Sequence, residues 1–292
     1  MKFNGDYRAA ARIIADSIHL LRGDQRHRRF GTTGTASVLY YALLGYCRAA
    51  LGELPQAMSA SAQACAIARE LDRPFDVAVS HFADGMVGLH KGEIDAAITT
   101  LRRGLDACDS AGIDIMWPVL ASRLGYAYAI AGRFGEAASL AERALPRSAQ
   151  MAHMHGWCHV FAGHVRLLAG GQAEARQCGL AALELAGRHE YRGVEAWALW
   201  LLGLCGDDDG AVDGQSTAWL QRAIALCRTL GLRPLQAHCQ LALGRFNGTS
   251  GSEAQRDVAM ATALYEELGM AFWAERAALR PPAPVNTGRV HS

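Results

Sequence analysis

The densest gathering of side chains able to do chemistry is MAHMHGWCHVFAGH, residues 151–164, which holds His153, His155, Cys158, His159 and His164. A spacing of four puts His155 and His159 on one face of a helix, where two imidazoles could share a zinc or copper ion. The pattern matches no ligand motif and offers no third ligand on that face, so ordinary helix residues are expected and no metal is assigned. Asp84 stands where the equivalent positions carry leucine (Leu44, Leu124, Leu202, Leu243), and a buried carboxylate needs a partner. His81, three residues earlier, is within helical reach; a ligand in a groove is the alternative. The four aspartates of GDDDGAVDG at 206–214 suggest a calcium loop, but Ala211 breaks the ligand order, leaving a solvated turn. RHRRF at 26–30 reads as a solvated basic loop.

No G-x-S-x-G, H-E-x-x-H or glycine-rich phosphate loop occurs, GTSGS at 248–252 lacks the closing glycine, and neither Lys2 nor Lys91 sits in a P-loop context. A non-enzymatic protein with no cofactor is expected. With 29 basic and 28 acidic side chains among 292 residues, the surface is not built for phosphates, and no direct nucleic-acid partner is expected. The eight cysteines form no C-x-x-C pair and lie in apolar stretches, as reduced core residues do. The start of the chain carries no signal-peptide apolar region. The longest apolar run, 194–205, contains Glu195 and falls short of the roughly 20 residues of a membrane span. A cytoplasmic location without a membrane partner follows.

What must position these residues is a repeat. Gly45, Gly85, Gly125, Gly163, Gly203 and Gly244 recur at spacings of 40, 40, 38, 40 and 41 inside helical patterns. Glycine in a helix costs roughly 1 kcal/mol against alanine, so a series in one phase implies a second helix too close for a side chain. Gly52, Gly92, Gly132 and Gly170 follow by seven residues and suit helix ends; Ala57, Ala97, Ala137 and Ala175 then allow close packing of a returning helix. Inner helices are predicted near 36–51, 76–91, 117–131, 153–169, 192–205 and 234–247. Their partners fall near 7–22, 54–71, 94–110, 134–149, 173–188, 216–230 and 254–268. The segment 270–279 is expected to cap the stack.

Leu124-Gly125-Tyr126-Ala127-Tyr128, followed by Gly132, Phe134, Ala137 and Ala144, resembles the tetratricopeptide repeat, lengthened from its usual period. The expected fold is all-α, a right-handed α-solenoid of antiparallel helix pairs with a period of about 40 residues over 1–280, followed by a disordered tail at 281–292. RRFGTTGTASVLYYALLGYCRAALGE, GIDIMWPVLASRLGYAYAIAGRFGEA and ATALYEELGMAFWAERA resemble more narrowly the C-terminal repeats of bacterial ATPase-containing class III adenylate or guanylate cyclases and of large LuxR/MalT-type regulators. That resemblance implies a sensory or regulatory portion of a signalling ATPase, with the chemistry upstream of the repeats. It also makes sense of a chain that opens halfway through a unit, with an N-terminal helix expected to expose Ile13, Ile14 and Leu21 and so to permit self-association. The alternative is a free-standing self-associating scaffold.

In such solenoids the inner helices line a concave groove. The glycine register assigns it Tyr46, Phe82, Met86, Tyr126, His164, Trp200 and Arg245, aromatic and polar side chains suited to holding a protein segment or small effector.

Overall fold

Fourteen α-helices form along the described residues of this computed structural model, which are 5–21, 23–206, 214–246 and 251–279, and no strand occurs among them. They are α1 (Tyr7–Leu20), α2 (Ala36–Leu51), α3 (Leu54–Leu71), α4 (Pro74–Lys91), α5 (Ile94–Ala111), α6 (Trp117–Ile130), α7 (Phe134–Ser148), α8 (Ala152–Leu168), α9 (Gln172–His189), α10 (Arg192–Leu204), α11 (Gly214–Leu230), α12 (Arg233–Phe246), α13 (Ser252–Glu267) and α14 (Ala271–Ala278). Most of the turns between the two helices of a pair are short, because glycine ends the first helix and the second begins at once. Gly52 and Gly92 take φ of 85° and 88° at the C-termini of α2 and α4, a left-handed geometry that closes the last turn without a Cβ penalty.

Within each pair the glycine and alanine phase acts as the sequence predicts. A Cβ on Gly163 of α8 would stand 2.3 Å from a Leu201 methyl and 3.1 Å from Cys178 Cβ, so a larger residue must push aside the side chains of α9 and α10 that pack there. Ala57, Ala97, Ala137 and Ala175 are all essentially inaccessible. Every one of the eight cysteines is a free thiol, Cys65 half-buried and the others buried. No helix among the described residues is long and apolar enough to cross a membrane. The fold is an all-α solenoid, with α2, α4, α6, α8, α10 and α12 inside and the partner helices outside.

The ends of the solenoid meet. Each inner helix touches the next, and α12 also touches α2, so the six form a ring. Gly5 and Tyr7 seat against Arg192 and Gly193 at the start of α10, Gly52 lies against Leu268 and Pro234, and Gly92 against Phe272. This corrects the expectation for α1. Ile14 is buried, 4% exposed, because α1 packs along α2 and reaches α10; Ile13 and Leu20 remain exposed at 45% and 74%, with Leu21 half-buried.

The Asp84 reading is also corrected. Its Oδ1 accepts from Ser61 Oγ of α3 at 2.8 Å, while His81 Nδ1 pairs with its own helix at Val77 O, 2.8 Å. The carboxylate therefore faces the outer helix and meets neither His81 nor the interior. A buried carboxylate that the pattern did not single out, Asp76, accepts from Thr35 N at 2.7 Å and from Thr35 Oγ1 at 2.6 Å, tying the start of α2 to α4. The aspartate run at 207–213, positions 248–250 and the tail at 281–292 lie outside the described residues.

Candidate functional site

The inner wall of the ring is aromatic. Tyr46 of α2 lies 5.7 Å from Phe82 of α4, the two rings tilted, and both are half-buried. Tyr126 of α6 meets Phe161 at 5.3 Å and His164 at 5.4 Å on α8. His164 lies 4.4 Å from Trp200 of α10, which stacks at 5.0 Å on His238 of α12. Trp197 fills the centre, 5.4 Å from Phe161 and 6.3 Å from His90. Rings from successive inner helices thus line much of the interior, drawn from several positions along each helix and not from one row of the repeat.

Two end elements close over this wall. From the N-terminal side Tyr7 enters, its ring 6.1 Å from Tyr46. From the C-terminal side α14 lays Trp273 against His238 at 4.7 Å, with its indole N–H donating to the carbonyls of His90 at 3.1 Å and Leu89 at 3.3 Å. Beside Tyr7 lies a narrow cleft of about 10 Å³ whose walls include Tyr7, Tyr46, Met86, His90, Trp157 and Trp197. That is room for about one water. A neighbouring cleft, equally narrow at about 10 Å³, shares Met86, His90 and Trp197 and adds Tyr126, His238 and Trp273.

Of the residues assigned to the groove, Met86, Tyr126, His164 and Trp200 come together in this interior and are buried, 2–7% exposed. Tyr46 and Phe82 stand beside them. Arg245 does not join the rings: its Nη2 donates to the carbonyls of Arg276 at 2.7 Å and Leu279 at 3.2 Å, holding the end of α14. Burial lowers its guanidinium pKa. The sequence reasoning overlooked Tyr7, His90, Arg123 and Trp273. For Arg123 a signal was present, since it is the single charged residue of α6, a helix of mostly apolar residues.

Electrostatically the interior favours neutral imidazoles. Burial holds His90 down to about 4 and His164 and His238 to about 3, His238 sharing a 2.7 Å hydrogen bond with Tyr265. His164 Nε2 and Trp200 Nε1 are buried with no hydrogen-bond partner. Polar atoms left so cost free energy that a ligand could recover. The other histidine pair stands apart from these rings. His155 and His159 approach at 3.2 Å between their Nε2 atoms, with Ser148 on His155 Nδ1, and no group of three potential ligands gathers among the described residues. Burial lowers His159 to about 4.

No protein-family model matches the sequence, and neither does any curated protein. Solved structures share the fold. The apo form of RapI superposes with a TM-score of 0.59 at 13% identity, over 92% of this chain and 90% of that one. A Rap protein complexed with competence and sporulation factor gives 0.64 at 14% identity, over 92% and 82%. The Rap conjugation gene regulator of plasmid pLS20, in complex with the Phr* peptide, gives 0.68 at 14% identity, over 94% and 74%. The likeness at this identity is one of fold: a tetratricopeptide-like helical solenoid running through nearly the whole chain.

Proposed function

We propose that the chain is a non-catalytic binding module that takes a peptide or an extended protein segment into the interior of its helix ring. The observation that carries this reading is a ring wall of aromatic side chains in which His164 Nε2 and Trp200 Nε1 lie buried without partners. A core built only for stability would satisfy or omit those atoms. A backbone carbonyl accepting from the Trp200 indole, and an amide or a water meeting His164, would complete them. Tyr46, Phe82, Met86, Tyr126, His164 and Trp200 would form the contacts, with Arg245 governing the α14 edge. Two of the similar structures, though alike only in fold, were solved with a bound partner, one of them a peptide.

The resemblance to the repeats of signalling ATPases supports a regulatory setting, in which occupancy of the interior would be passed to a catalytic domain elsewhere. The test is affinity selection: the protein is incubated with a random hexapeptide pool, and retained members are identified by mass spectrometry. Retention by the wild type that is lost in Trp200→Ala, with the helical circular dichroism unchanged, is the expected result. No retention by the wild type would end the reading.

A further inference from the structure

Arg123 is a cation in the wrong place for a core. It lies on the inner helix α6 and is 2% exposed, yet it forms no ion pair with a carboxylate among the described residues. Its hydrogen bonds go to its own helix alone, from Nη1 to Ser122 Oγ at 3.0 Å and to Val119 O at 3.3 Å. Nε is buried with no partner. The rings of Phe161, Trp157 and Phe82 surround the guanidinium at 4.6, 5.5 and 5.6 Å. Such rings offset part of the desolvation of a cation, but they give no acceptor to the free N–H. A purely structural residue enclosed by three rings would be served as well by methionine, without a charge to bury.

The adjoining cleft points the same way. Trp157, whose ring faces the Arg123 guanidinium, is also a wall of that cleft, together with Tyr7 and Tyr46. No acidic side chain lines either cleft. A fixed cation behind the Trp157 wall, with tyrosines and aromatic walls in the cleft itself, is the complement of a single carboxylate attached to an apolar group.

We infer that Arg123 is the receptor for a ligand carboxylate, namely the free C-terminal carboxylate of a bound peptide whose last side chain is apolar. This rests on the peptide-binding reading. The guanidinium would take the carboxylate through Nε and Nη2, the Tyr46 hydroxyl would donate to its outer oxygen, and Trp157 and Met86 would flank the last side chain. Because the closed cleft has room for about one water, the ligand enters as Tyr7 and Trp273 draw aside.

The experiment presents the full chain with an equal mixture of two random hexapeptide pools, one with free C-termini and one amidated, and identifies the retained members by mass spectrometry. N-acetylphenylalanine is titrated separately against tryptophan fluorescence as a small carboxylate. The expected result is retention of free acids over amides by about tenfold or more, an enrichment that disappears in Arg123→Met. The comparison of free and amidated pools uses the wild type and stands even if that variant does not fold. Equal retention of the two pools overturns the carboxylate receptor and leaves peptide binding in place. Binding of N-acetylphenylalanine, reduced in Arg123→Met, with no peptide retained keeps the receptor but makes a small acid its source and overturns peptide binding. Binding of neither overturns both.

Discussion

Helices α5 and α6 are neighbours of opposite character. Outer α5 buries seven of its eighteen residues, on one stripe, and gives the rest to solvent. Inner α6 buries thirteen of fourteen, with a face to each flanking helix and one toward the interior. An outer helix needs only an amphipathic pattern, and many substitutions satisfy it. An inner helix is packed all round, so its few polar residues are costly and mark what the interior is for. The comparison teaches where function should be sought: in the polar side chains that the inner helices set among the interior rings, His90, Arg123, His164 and His238.

The largest effect that tests this contrast is acid. His90, His164 and His238 have folded-state values of about 4, 3 and 3 against 6.5 unfolded, so the unfolded chain binds more protons in between. Stability is therefore complete above pH 6.5 and lost as pH falls toward the folded values, by about 1.4 kcal/mol per unit for each group. At pH 5 the three together remove about 6 kcal/mol, comparable with a typical total of about 5–15 kcal/mol. Melting temperature should fall steeply between pH 6.5 and 5, and a flat profile would mean that water already reaches these imidazoles.

Next in size is a pair of ring deletions. Tyr126→Ala, on the inner wall, is expected to lose about 3–4 kcal/mol, whereas Phe134→Ala, 42% exposed on outer α7, should lose less than about 1 kcal/mol. Denaturant melts give both. Similar small losses would assign Tyr126 to a yielding groove wall. The smallest test sets two glycines against each other. Gly163→Ala, with a Leu201 methyl 2.3 Å from the new Cβ, should destabilise by about 1–3 kcal/mol. Gly187→Ala, on outer α9 with nothing within 4 Å, should stabilise by about 0.5–1 kcal/mol. Reversal of either sign breaks the distinction between inner and outer helices.

The helix pairs were legible because glycine and alanine recur in phase, and short-range spacing suffices to fix one pair. The predicted second helix at 94–110 is observed as Ile94–Ala111, and the first at 36–51 as Ala36–Leu51. Closure of the ring was not legible. It is the sum of small rotations between successive units, and no local pattern records that sum. Hence Tyr7 against Gly193, and Trp273 against the carbonyls of Leu89 and His90, escaped the reading. For the same reason four of the groove residues are buried where an open solenoid would leave them exposed. Asp84 misled because a polar residue on an inner helix can turn outward to a serine as readily as inward.

The bond from Trp273 to Leu89 joins residues 184 apart in the chain. An open array of helix pairs builds from neighbour contacts alone, folds from any nucleus and frays at its ends. A joined array adds contacts of very high sequence separation, whose loop-closure entropy must be met before they contribute anything. The seam between α4 and α14 should therefore form late and slowly, and once formed it couples the first units to the last, turning gradual fraying into a single cooperative transition.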